Sequence, residues 1–352
     1  MKLKTTFAKA INDGIAVAME KDPNVICYGL GTDDPLGVFG TTLGLQERFG
    51  KQRVFDMPTS ENAMTGVAIG ASLNGIRSVI THQRLDFFLL AMDQLVNNAA
   101  KWHYMFGGQV NVPMVIRLII GRGWGQGPTH SQSLHAWFAH IPGLKVVMPT
   151  TAADAKGLLL SSIFDDNPVV FLEHRWLHNQ EGVVPKGDVR EPLGKAKLLH
   201  KGNDLSIVSM SYMTVEALHA VTYLESKGIS CDVLDLRTIS PLDWEMVFNS
   251  VRKTGRLLVL DTSSKTCSIA SEVIARCSSE LFNELKTAPQ ILTLPDFPTP
   301  TSLALTENYY HRSEDIVAKV ENMLGIHFNV EEISFDRTVP HDIPGDWFKG
   351  PF

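Results

Sequence analysis

Five short runs in the first half of the chain, at 25–29, 78–82, 114–120, 144–149 and 169–173, are largely apolar instead of alternating. A strand with one wet face alternates with period two; a strand covered by helices on both faces does not. Between the runs lie segments of helical spacing near 61–74, 86–105, 131–139 and 151–163, and an amphipathic helix opens the chain within 1–22. Parallel neighbours in a sheet need a crossover, usually a helix, so this alternation predicts α/β architecture on a mainly parallel sheet.

Residues 174–203 lose the periodicity and read as a connector with a small hairpin. A second pattern follows: a strand at 204–211, a helix, a strand at 230–239, a helix from Pro241, then a strand at 256–261. Prolines at 289, 295, 298 and 300 break the chain before a last helix near 313–324. At 352 residues the chain exceeds one ordinary core. The expected fold class is α/β, two doubly wound domains with mainly parallel sheets, over 1–185 and 186–325, and a C-terminal extension over 326–352. Trp347, Phe348 and Phe352 make that extension unusually apolar, so it reads either as a disordered tail or as an arm packed on a partner.

Composition narrows the function. The net charge is −6 with no basic stripe, so no nucleic-acid or membrane-surface partner is expected. No apolar run reaches the roughly 18 residues a membrane span needs. Cys27, Cys231, Cys267 and Cys277 form no CxxC pair, which leaves neither a zinc knuckle nor a disulfide framework. Reduced thiols and a cytoplasmic location are the expectation.

Two segments carry unusual residues. In GRGWGQG (121–127) glycine falls at every second position, yet the spacing fails both the dinucleotide fingerprint and the P-loop. His130, His135 and His140 follow five residues apart, which rotates them around a helix and denies them a common metal. In DMPTSENAMTGVAIGASLNG (56–75), Thr59 or Ser60 can cap a helix whose first turn holds Glu61. Gly66, Gly70 and Gly75, with Ala68 and Ala71, weaken that helix by about 1 kcal/mol per glycine. Such small residues allow another backbone to approach closely, either a symmetry mate or a second subunit.

The strings ERFGKQRVFDMPTSE, AIGASLNGIRSVI, DFFLLAMDQLVNNAAKWHYMFGG, GPTHSQSLHAWFAHIPGLKVVMPTTAADAKGLL, DDNPVVFLEH and VLDLRTISPLD occur in that order. Together, over about residues 5–325, they resemble the beta subunit of the thiamine-diphosphate-dependent first component of 2-oxo acid dehydrogenase complexes, in the wider transketolase group. The resemblance implies a pyrimidine-binding domain followed by a transketolase C-terminal-type domain. It implies that Glu61 hydrogen-bonds N1′ of the coenzyme's aminopyrimidine, so that the coenzyme's own amine becomes the base that ionises it. It further implies that Phe87 stacks on the pyrimidine, that Gly29 lies with the cofactor-binding residues, and that His130 assists acyl transfer. Phe88 remains a core residue on the plain reading, and His135 and His140 are structural. A monovalent cation, potassium, is implied on main-chain carbonyls of Met114, Ser162, Asp165 and Asn167; the alternative there is an ordinary helix end before a strand.

The Gly-Asp-Gly sequence that holds the diphosphate through Mg²⁺ in this group is absent. The resemblance therefore implies that Mg²⁺ sits on a separate alpha-type subunit, in an α2β2 heterotetramer with the coenzyme shared between chains. Three places depart from the family pattern: Gly29-Leu30-Gly31, THQRLDFF with its His82 and Arg84, and FPTPTSLALTENYY. His82 or Arg84 could recognise an anionic or hydroxylated substrate, with a surface ion pair as the plain alternative for Arg84. The expected activity is decarboxylation of a 2-oxo acid with acyl transfer to the lipoyl group of an acyltransferase. The alternatives are a split transketolase-like enzyme that moves a ketol unit, and a non-catalytic scaffold, against which Glu61, Phe87 and His130 argue.

Overall fold

The computed structural model describes residues 2–123, 125–326 and 339–348. A seven-stranded sheet runs in the order Thr238–Ser240, Lys145–Val147, Val169–His174, Met114–Ile120, Arg77–His82, Val25–Gly29, Val54–Asp56. All its neighbours are parallel except the first pair. The central strand Met114–Ile120 is buried at every position, which is what an unbroken apolar run requires. Helices Phe7–Lys21 and Ala152–Ile163 pack together on one face. Glu61–Ser72 and the helical segments between Leu85 and Met105 cover the other.

A second sheet has the order Gln290–Leu294, Leu257–Ser264, Leu205–Ser209, Cys231–Asp235, Lys197–His200, with only the last strand antiparallel. The mainly parallel, two-sheet α/β architecture is as expected, but several local expectations fail. The connector forms no hairpin of its own. Glu181–Pro185 pairs with the N-terminal strand Lys2–Thr6, and Lys197–His200 joins the second sheet. Such pairings join residues far apart in sequence, so no local pattern announces them. Thr238–Ser240 leaves the second unit and edges the first sheet beside Lys145–Val147. The helix expected from Pro241 starts at Trp244, where Asp243 accepts a capping hydrogen bond from the Met246 amide.

The helix expected over 86–105 is broken into an α turn at Leu85–Phe88, a 3₁₀ turn at Leu89–Ala91, a π segment at Gln94–Ala99 and an α segment at Ala100–Met105. The C-terminal segment 339–348 is an arm, but it packs on its own chain. Trp347 Nε1 donates to the Trp176 carbonyl (3.1 Å), and the Phe348 ring lies against the Arg175 guanidinium (5.0 Å). Its aromatic rings thus cover apolar surface of the first sheet's helical layer. Phe352 lies outside the described residues.

Candidate active site

Glu61 is the first residue of the helix Glu61–Ser72, which leaves the C-terminal edge of the first sheet directly after Val54–Asp56. Ser60 takes the N-cap position without making a side-chain cap, contrary to the sequence expectation. The helix is held instead from below: Tyr28 Oη donates to the Met64 carbonyl (2.9 Å), and Thr65 Oγ1 to that of Glu61 (2.9 Å). Glu61 is only 5% exposed, yet among the described residues its carboxylate has neither a hydrogen bond nor an ion pair. The helix dipole favours a carboxylate at this N-terminus, and its oxygens are left free to meet a ligand. A protonated or positively polarised ligand nitrogen would supply what is missing.

The predicted small-residue helix packs inward through Ala68, while Gly70 has no neighbour within 4 Å of a notional Cβ and Val67 beside it is exposed. That outward stripe stays open to another chain.

Phe87 and His130 come together from distant segments. Their rings meet edge to face, with centroids 5.2 Å apart, and both are half-buried. His130 ends a 3₁₀ turn, Pro128–His130, and its Nδ1 lies 3.1 Å from Thr129 Oγ1. The α-helix that was expected to begin here starts at His135. Phe88, one residue on, points into the core, as the plain reading held. Beside His130 a cleft of about 610 Å³ opens between the two units, lined among others by Thr129, Ser131, Ser133, Thr262 and Asp296.

The glycine loop has a packing cause at its first residue. Gly121 adopts φ +73° and the His174 ring occupies the space a side chain would need. Gly29 is likewise explained by contact: a Cβ there would strike the Thr81 carbonyl of the neighbouring strand. Its turn is pinned by Asp56, which accepts the Gly31 and Thr32 amides.

Arg84 is no surface residue. It is buried, donating from Nη1 to the Gly121 carbonyl (2.8 Å) and from Nη2 to Gln126 Oε1, so it clamps the glycine loop. Burial, reinforced by nearby Arg175, lowers its pKa to about 10. His82 is buried edge-on to Phe88 with both ring nitrogens unpartnered, and burial pushes it down to about 3. It is a neutral imidazole on the core face of the sheet.

Two buried ionic groups went unread in the sequence. Arg117 forms a bidentate pair with Glu173 (2.7 and 3.0 Å), reaches Thr81 Oγ1 (3.2 Å), and Glu173 also meets His178 Nε2 (3.2 Å). A lone arginine inside MVIRLII was the available signal, since a charge in a doubly covered strand requires a partner. His135 bonds Asp261 across the two units (2.8 Å), both fully buried, so it ties the units together.

Of the four positions offered for a monovalent cation, the Asp165 and Ser162 carbonyls already accept hydrogen bonds from the chain itself. Asp165 O already accepts from Arg77 Nη1 (2.9 Å), which also reaches Ile163 O (3.4 Å). Asp165's carboxylate is bound by Lys145 (2.7 and 2.8 Å) and by the Asn167 amide (2.9 Å). Ser162 O takes the Asp165 amide (3.3 Å), while Met114 opens its strand beside Ser78. A further cation beside Arg77 and Lys145 would be repelled. No cluster of three or more metal-ligating side chains occurs among the described residues, and none of their helices could cross a membrane.

Comparison with known proteins agrees with this geometry. Residues 4–180 match the transketolase pyrimidine-binding domain and residues 194–316 the transketolase C-terminal domain. The chain is 41% identical to the beta subunit of acetoin:2,6-dichlorophenolindophenol oxidoreductase of Cupriavidus necator, covering 90% of this chain and 97% of that one. The Bacillus subtilis protein of the same name is 38% identical, with 91% and 97% covered. The pyruvate dehydrogenase E1 component subunit beta of Rickettsia conorii is 37% identical, with 91% and 98% covered. A solved split-gene transketolase, an inactive beta4 tetramer, shares the fold at a TM-score of 0.71 and 22% identity, covering 91% and 98%. The chain therefore belongs to the transketolase-like enzymes with a pyrimidine-binding and a C-terminal domain. Within them its relatives are beta subunits of pyruvate and acetoin dehydrogenases.

Proposed function

We propose that this chain supplies the pyrimidine half of a thiamine diphosphate site, with 1–185 as the pyrimidine-side domain, 186–325 as the C-terminal domain and 326–352 as an extension. The observation that carries the reading is the buried, partnerless carboxylate of Glu61. A carboxyl group there matches a ring nitrogen that must be hydrogen-bonded, and the half-buried Phe87 ring suits stacking on a flat heterocycle. When bound, the coenzyme would supply a nucleophilic carbon that adds to a carbonyl and a cationic ring that accepts the electron pair released by cleavage beside it. Glu61 holds a proton at N1′, Phe87 orients the ring, and His130 is placed to move a proton at the reacting oxygen. Diphosphate and Mg²⁺ belong to an alpha-type partner in an α2β2 assembly, a reading supported by the lack of a Gly-Asp-Gly sequence in this chain.

The proposed reaction is decarboxylation of a 2-oxo acid and transfer of the acyl group to a lipoyl acyltransferase, for which the 610 Å³ cleft lined by Thr129 and Ser131 offers an approach. A second reading is cleavage of a ketol such as acetoin. Two relatives carry acetoin in their names, and both terminal nitrogens of Arg84, the side chain suited to a carboxylate, are engaged by the chain's own loop. Co-expression with the alpha-type subunit, followed by turnover of pyruvate and acetoin with 2,6-dichlorophenolindophenol, tests both. Turnover of neither, or turnover unchanged in Glu61→Gln, overturns the assignment.

A further inference from the structure

The glycine loop carries a second arginine, and its partner comes from the far end of the chain. Arg122, 1% exposed, forms an ion pair with Asp342, 2% exposed, at 2.9 Å. Arg122 also donates to the Pro300 carbonyl (3.1 Å) and the Thr301 carbonyl (3.2 Å), so one guanidinium ties the loop to two separate segments of the second unit and extension. Residues around Asp342 are fastened on both sides. Arg312 Nη2 donates to the Pro340 carbonyl (2.8 Å) and the Ile343 carbonyl (3.3 Å), and His341 Nε2 lies 2.9 Å from the Leu303 carbonyl. Further on, Trp347 bonds Trp176 in the first unit. The segment 339–348 thus crosses from the second unit to the first, directly over the start of the loop that leads to His130.

We propose that 339–348 is a strap and that Asp342 is a positioning residue, acting through Arg122 to hold the loop 121–130 and with it the His130 ring against Phe87. A buried guanidinium that loses its carboxylate cannot stay where it is without large cost, so it must draw water in or swing out, and the loop backbone goes with it. Arg84 would still hold Gly121 from the core side, so the expected result is a loosened loop on a folded chain. Neither matched domain includes this segment, since the second ends at residue 316.

The catalytic part of this inference rests on the proposed function, so the test has two readouts. In the complex with the alpha-type subunit, Asp342→Ala and Asp342→Asn should lower kcat at least tenfold. Backbone amide exchange over 121–130 should quicken, while exchange in the strand Met114–Ile120 stays as in wild type. Asp342→Glu should recover most of the loss, which a general packing defect would not allow. Wild-type exchange over 121–130 in Asp342→Ala, or quickening spread evenly over the chain in both Asp342→Ala and Asp342→Asn, overturns the strap. If wild-type protein turns over neither substrate, the reaction assignment fails, yet the exchange readout still decides the strap.

Discussion

Glu61 and Glu173 are both buried glutamates at the C-terminal side of the first sheet, and they differ in company. Glu173 spends both oxygens on Arg117 and a third contact on His178; Glu61 has no partner among the described residues. A saturated buried charge is part of the scaffold, because removing either member strands the other. A nearly buried carboxylate with no partner among the described residues of its own chain is free to be completed by something else. The contrast marks Glu173 as framework and leaves Glu61 open to a ligand.

That contrast can be broken by exchanging the expected phenotypes. Glu61→Gln should reduce turnover by roughly 10²–10⁴-fold, the usual range for a positioned acid–base group, with little change in the denaturant midpoint. Glu173→Ala should do the reverse, costing about 3–5 kcal/mol of stability by leaving Arg117 unpaired, as read by urea unfolding. Were Glu61→Gln the destabilised variant and Glu173→Ala the inactive but stable one, the assignment of roles would be inverted.

The pH dependence sharpens the same distinction. Burial lowers His178 to about 4, and His82 and His174 to about 3, from an ordinary 6.5. Folded values below unfolded ones give stability that is complete above pH 6.5 and lost as pH falls toward 4, at about 1.4 kcal/mol per pH unit for each histidine. Asp235 runs the other way: burial raises it to about 7 from 3.8, so its contribution is complete below 3.8 and lost as pH rises through 7. With three groups against one, unfolding midpoints should drop between pH 6.5 and 4. A flat profile over that window would mean that the histidines are not buried as neutral groups. The smallest expected effect is that of potassium. Because Arg77 already donates to the Asp165 and Ile163 carbonyls, replacing K⁺ by choline should leave the melting temperature unchanged and turnover within about twofold, whereas Arg77→Met should introduce a dependence on K⁺.

Several outcomes were legible residue by residue. The uniform apolar runs marked the central strands, and the distinctive strings singled out Glu61, Phe87 and His130 as candidates. Phe87 and His130 do meet. The plain reading of Arg84 as a surface ion pair fails, because a charged side chain in a short stretch gives no hint of the loop that will fold over it. Asp342 was missed for a similar reason: it lies more than two hundred residues from Arg122, in a stretch without periodicity.

By itself the amino-acid order determined the alternation of strand and helix, and hence a parallel sheet with helices on both faces, because side-chain periodicity is a local property. The tertiary structure alone decided which buried charges are paired, which strand crosses between the two sheets, and where the C-terminal arm lands. Those depend on contacts between segments whose proximity is set by packing and chain closure, and a desolvated charge registers its partner only once both have left water.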